Sequence, residues 1–302
     1  MLSSAQKGDP MVSGYLIKAD GAYERVLVMG SNKQGNVFYK ENPNSVKTLR
    51  APITGFSGIW LFEPADYTAA KNLFESFKYQ EAKDAFIALQ SRYKGYKYLD
   101  DSYFELSAFY EMECYRNLED YETLAKKLEL YKPDKLTRPW QVQQTKLYRM
   151  YDALHKKDWA RLDSLCKDYV QDKGITLSQR AQIAFCQGVA YEGLEKDNDA
   201  LNAYATAMTA DFTRSESIVR NAALNSLRIF DKDKGVKVAK RLWKTDDEDK
   251  SSAGYRKLQE ANALARLYDK AGLGGGVALP AKFKEFQKFT SDAMLKKMKK
   301  SK

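Results

Sequence analysis

Along most of this chain apolar residues recur at steps of three and four, the spacing that gathers them on one face of an α-helix. The stretch YQEAKDAFIAL at 79–89 is typical: Tyr79, Ala82, Phe86 and Leu89 share one face and the charged residues lie away from it. The same face returns as Tyr121/Leu124/Leu128/Tyr131, then Trp159/Leu162/Cys166/Tyr169, Asp197/Ala200/Tyr204/Ala207 and Gly235/Val238/Leu242/Thr245. The offsets between copies are 42, 38, 38 and 38 residues. Equal spacing of one face predicts a stacked array in which each unit buries its face against the next. Each marked helix follows another segment of helical period, near 64–76, 98–115, 139–155, 176–193 and 213–229, and a sixth covers 255–271. Helix–turn–helix pairs are therefore expected from residue 64 onward, with Pro133 and Pro139 as breakers between pairs. An irregular all-helical domain is the alternative to an array.

Residues 12–63 have a different period. ADGAY at 19–23 is an Asp-Gly hairpin signal between GYLIK and ERVLVMG, and SNKQGN and ENPNS are further turn clusters. VFYK, VKTLR and GIWLFE carry the β-branched and aromatic residues that suit strands. These runs predict a four- or five-stranded antiparallel meander, which either packs on the helices that follow or closes into a small barrel. Pro64 opens the first helix, where a missing N–H costs nothing.

The hairpins resemble the tetratricopeptide repeat family. Gly188, Tyr191, Ala200, Tyr204 and Ala207 match that family's Gly-x2-Tyr … Ala-x3-Phe … Ala pattern, and Ala70, Leu73, Ala82, Phe86 and Leu89 match it in the first unit. A glycine inside a helix costs about 1 kcal/mol relative to Ala, so Gly188 predicts a very close approach of two helices, with Tyr204 filling the space beside it. The chain departs from the family period of about 34 residues, and Met112, Met150 and Ser226 stand at the Gly188 position in other units. The expected fold class is mainly α, an α-solenoid of helical hairpins preceded by a small antiparallel β module. The expected divisions are a flexible N-terminus at 1–11, the β-rich module at 12–63, the repeat array at 64–271, and a Gly-rich linker with a basic capping helix or tail at 272–302. Arrays of this family hold peptides or partner domains in a groove lined by the first helix of each pair. Carried over to this sequence, that groove falls on Tyr67, Lys71, Glu113, Arg116, Tyr151, His155 and Glu192.

Charge narrows the partners. The net charge is +10, but from Ala281 to Lys302 eight lysines stand against only Glu285 and Asp292. The rest of the chain mixes both signs and lacks the dense basic stripe that tracks phosphates, so nucleic acid is not expected as a partner. A protein or peptide partner is. The tail places Phe283, Phe286, Phe289, Met294, Leu295 and Met298 on a broad face. It reads as a cap over the last unit or as a basic amphipathic helix touching an anionic membrane surface. Ser3-Ser4-Ala5 before Gln6 has the small-x-small pattern of a signal-peptidase site, without an apolar run before it. An exported, periplasmic location in a bacterium is the first expectation and a cytoplasmic one the alternative. No stretch nears the roughly 18 apolar residues of a membrane-spanning helix.

Catalytic chemistry is sparse. His155 is the only histidine, near a helix end where a surface histidine is common. DKDKG at 231–235 places its glycine one position early for a calcium loop and has Leu242 where a bidentate Glu is needed. TDDEDK at 245–250 reads as a solvated turn. GLGGGVALP at 272–280 lacks the Gly-Lys-Ser/Thr of a phosphate loop and reads as a linker. Cys166 and Cys186 read as two buried free thiols, with a disulfide as the alternative for an exported protein. No cofactor and no metal is expected. The expected function is a non-enzymatic protein–protein interaction scaffold. The alternative is a cell-envelope-associated protein that binds glycan, peptidoglycan or anionic membrane surface.

Overall fold

The computed structural model describes residues 10–212 and 215–291. The first residues of the expected N-terminal segment and the tail from 292, with Met294, Leu295 and Met298, lie outside the described residues. Within them the chain is mainly helical with a small antiparallel sheet at its N-terminal end. The strands are β1 (Val12–Ile17), β2 (Tyr23–Ser31), β3 (Asn36–Lys40), β4 (Leu49–Pro52) and β5 (Gly58–Leu61). The helices are α1 (Ala65–Glu75), α2 (Tyr79–Arg92), α3 (Tyr103–Asn117), α4 (Tyr121–Leu130), α5 (Pro139–His155), α6 (Trp159–Tyr169), α7 (Leu177–Gly193), α8 (Asp197–Ala210), α9 (Glu216–Lys232), α10 (Lys234–Arg241), α11 (Ala253–Lys270) and α12 (Ala281–Lys284).

The hairpins share one turn. Phe77, Glu119, Lys157 and Glu195 each sit two residues before the second helix of a pair, at φ of 61°, 61°, 55° and 59°. The next residue's N–H then reaches back to a carbonyl in the last turn of the first helix. Lys78 donates to Leu73 and Asp120 to Tyr115, each at 3.0 Å. Asp158 donates to Ala153 at 3.0 Å and Lys196 to Tyr191 at 2.8 Å. This left-handed cap satisfies orphan carbonyls at the helix end. The turn between α9 and α10 differs, because Asp233 keeps an extended backbone and caps α10 through its side chain.

The described residues form two compact units, one ending at Asp152 and the other beginning at Ala153. In the first, the strand order is β4-β3-β2-β1-β5, so β5 returns to pair with β1 and the sheet is open, with β4 and β5 as edges rather than a closed barrel. Period-2 alternation turns Val12, Leu16, Val26 and Val28 to one face. These valines and this leucine share a core with Tyr67, Phe86, Tyr96 and Tyr110, so sheet and helices bury each other. Polar contacts fix the docking. The Tyr96 hydroxyl donates to the Val28 carbonyl at 2.7 Å and the Tyr103 hydroxyl to the Leu61 carbonyl at 3.2 Å.

In the second unit α7 packs between α6 and α8, and α9 between α8 and α11. Gly188 is where the sequence demands close approach: a Cβ there would lie 2.6 Å from the Tyr204 ring. Face and sequence part company in α10. Val238, expected inside, is 45% exposed, and Val236 and Ala239 are buried instead. The cause is backbone contact, since a Cβ on Gly254 of α11 would meet the Gly235 carbonyl oxygen at 2.3 Å. That crossing sets which side of α10 faces the core. Leu273 and Leu279 pin the Gly-rich segment to this core, and Phe283 and Phe286 are buried in it with Leu227 and Tyr268. Among the described residues no helix is long and apolar enough to cross a membrane.

The turn geometry gives a direct test. A left-handed conformation costs a non-glycine residue about 1–2 kcal/mol that glycine avoids. Glu195→Gly is expected to raise stability by about 0.5–1 kcal/mol, net of glycine's entropy cost. Urea unfolding should show an upward shift of the midpoint, and a downward shift would refute the account of the turn.

Candidate functional site

Helix α3 is enclosed on nearly every side although its sequence, YFELSAFYEMECYRN, carries three glutamates and an arginine. Glu105, Glu111, Glu113 and Arg116 are all buried. Charges taken out of water must be paired or neutralised, and the four meet this requirement unequally.

Glu113 and Arg116, one helical turn apart, form a two-pronged pair at 3.0 and 2.8 Å. The Tyr148 hydroxyl of α5 donates to the same carboxylate at 2.9 Å. Burial acts to lower the Arg116 pKa, but the Glu113 charge outweighs it and holds the guanidinium protonated well above its ordinary value. Glu111 joins three helices. It takes an ion pair from Lys127 of α4 at 2.7 Å and a hydrogen bond from Gln90 Nε2 of α2 at 2.7 Å.

Glu105 stands apart. Ser102 and Glu105 have the S-x-x-E spacing of a capping box, and Ser102 Oγ does accept from the Glu105 N–H at 3.4 Å. The reciprocal half is not made, in contrast to Thr176 and Gln179 at the start of α7, which close both halves. Among the described residues the Glu105 carboxylate has neither a hydrogen bond nor an ion pair. Burial, then the nearby Asp134 charge, push its pKa up from 4.5 to about 7, against the opposing pull of Lys135. A position in the first turn of a helix favours a carboxylate, so burial is the stronger effect here.

The Glu105 side chain lines a cavity of about 580 Å³ between α3, α4 and the segments on either side of them. Phe104, Ala108, Met112, Leu130 and Tyr131 form its apolar wall. That volume lies in the range of small-ligand or side-chain sites, about 300–1,000 Å³. Tyr131, the residue that follows α4, lines the same cavity. Its hydroxyl is enclosed with no hydrogen-bond partner among the described residues, and burial, with Glu105 and Glu113, raises its pKa.

The groove residues expected from the family pattern fall in different surroundings. Tyr67 and Tyr151 are in the core, at 2% and 1% exposure. Glu113 and Arg116 are spent on each other. Lys71 is half-buried and reaches Glu75 at 3.9 Å. His155 ends α5 and is exposed. Glu192 is held by Arg228 at 2.9 Å, by Lys232 at 3.7 Å and by the Tyr204 hydroxyl at 3.1 Å. Of the seven, the structure brings together Glu113, Arg116 and Tyr151, the last close enough to Arg116 to influence its charge. Glu105, the residue that faces an open cavity, was not among the expected site residues, and its S-x-x-E spacing signals only a helix cap. Cys114, Cys166 and Cys186 are buried and form no disulfide among the described residues, and burial raises the pKa of the first and second. Among the described residues no three His, Cys, Asp or Glu side chains converge as metal ligands would.

Two measurements separate the roles of these charges. Arg116→Met strands Glu113 in the core and is expected to cost about 3–5 kcal/mol in urea unfolding, with part recovered in the double variant carrying Glu113→Gln. Glu105 holds its proton more tightly in the folded chain, so its contribution is present in full below pH 4.5 and is lost as pH rises through about 7. Glu105→Gln escapes that loss. It should stabilise the protein by about 1–2 kcal/mol at pH 8, discounted for water in the cavity, and leave it unchanged at pH 4.

No protein-family model matches this chain, and no curated protein matches it.

Proposed function

We propose that the protein is a non-enzymatic scaffold of tetratricopeptide-like hairpins that captures a peptide or an extended segment of a partner protein. The observation that carries this reading is the cavity beside α3, the first helix of its hairpin, with apolar walls and an unpaired carboxylate. Support for the array comes from the repeated left-handed cap at Phe77, Glu119, Lys157 and Glu195, which follows the same offsets as the apolar face. A hollow between helices of a regular frame suits a side chain presented on a peptide, because the frame fixes the wall and the peptide backbone stays outside. Leu130 at its mouth is 82% exposed, a large apolar side chain that a bound segment would cover.

The test is a random-sequence peptide array probed with the whole protein. The wild type should retain a defined subset of sequences. Leu130→Asp, at an exposed position, and Ala108→Trp, which fills the cavity, should both lose that subset, with the melting temperature of Leu130→Asp within a few degrees of wild type. Retention of no peptide, or retention unchanged in both variants, would sink the reading, as would selective binding to a glycan array in its place.

A further inference from the structure

We propose that the α3–α4 cavity is a seat for a cation on an apolar stem, the side chain of a lysine or arginine in the bound segment. The inference rests on the peptide-binding reading for its source of ligand and on the cavity alone for its chemistry.

The charged groups around Glu105 make the case. From α4, Lys127 is committed to Glu111 at 2.7 Å. From the segment after α4, Lys135 is committed to Asp100 at 3.0 Å, and Asp134 adds negative charge toward Glu105. From the turn before α3, Lys97 lies over the Tyr98 ring at 4.9 Å. Lys132 is the remaining cation at the cavity, and its residue is exposed. With Lys127 and Glu111 paired to each other, an anionic ligand would have to sit beside Glu105 and Asp134, and among the described residues Lys132 is the cavity's one cation with no ion pair or ring contact to hold it. A cation meets the opposite situation. Glu105 is more than nine-tenths buried, faces the cavity and forms no ion pair among the described residues. Phe104 and Tyr131 supply aromatic surface, which attracts cations. Ala108 and Met112 supply a wall for methylene groups, and long basic side chains bury their stems along apolar surface while the head group finds its partner.

The test separates the cation from the peptide. Three small probes of similar length are titrated into the whole protein carrying ¹³C-methyl methionine: butylguanidinium, its neutral counterpart butylurea, and the anion valerate. The Met112 methyl resonance reports occupancy. Butylguanidinium should shift it at pH 8, and butylurea and valerate should not. Glu105→Gln should weaken the guanidinium by about tenfold or more, because the buried charge pair is lost. Lowering the pH from 8 to 6 should weaken it by about tenfold, as Glu105 takes up its proton. Equal shifts from butylurea, undiminished binding to Glu105→Gln, or tighter binding at pH 6 would overturn the proposal. The last would mark a protonated Glu105 donating to the ligand. The peptide array gives the second arm. Peptides retained without a preference for Lys or Arg overturn the cation seat and leave the scaffold reading standing. Butylguanidinium bound at Glu105 with no peptide retained does the reverse.

Discussion

The first unit depends on how α3 keeps charge in its interior. A helix that is packed from several directions would ordinarily be apolar all round. This one carries four charged side chains inside, and for Glu111, Glu113 and Arg116 the contacts that neutralise them are also the contacts that place its neighbours. Glu111 cannot be satisfied unless α2 brings Gln90 and α4 brings Lys127 to the same point. Glu113 and Arg116 answer each other within one turn, and the spare lone pair fixes Tyr148 of α5. Replacing such a network by apolar residues of the same shape can be neutral for stability. Its retained effect is on geometry: an α4 shifted by one turn would leave a carboxylate stranded.

In the second unit close backbone approach does the equivalent work. Gly188 lets the Tyr204 ring lie against α7, and the hydroxyl of that ring then reaches Glu192, which also holds Arg228 and Lys232. One small residue thus admits one large one, and the large one organises a surface network between α7, α8 and α9. Gly235 and Gly254 let α10 and α11 meet main chain to main chain. The consequence is visible in α10, where the buried side is set by that crossing and not by the spacing inherited from the other helices.

Much of this frame is legible in the sequence, because helical period and glycine placement act locally. The pairs, their boundaries within a few residues, the Gly188–Tyr204 contact and the strands follow from it. The shared turn was hidden, since a left-handed cap is usually announced by glycine and here Phe77, Glu119, Lys157 and Glu195 occupy it. The fate of charged residues was hidden too. Glu113, Arg116 and Glu192 look like surface groups when read by position in a repeat, and only the packing of several helices shows that each meets a partner of its own chain. Glu105 stands in a short motif whose ordinary meaning is a helix cap. Whether a carboxylate at that position turns back to the backbone or outward to a cavity depends on what the next segment covers, which is a tertiary property.

The cavity lies in the stretch of chain where the spacing of the apolar face is irregular. The first offset is 42 residues and the later ones are 38. The segment 93–102, between α2 and α3, holds Tyr96, whose hydroxyl anchors the sheet through Val28, and Tyr98, which lines the cavity. The same segment thus attaches the β module on one side and helps to wall the hollow on the other. The unpaired Glu105, in the first turn of the helix that follows that segment, faces that hollow.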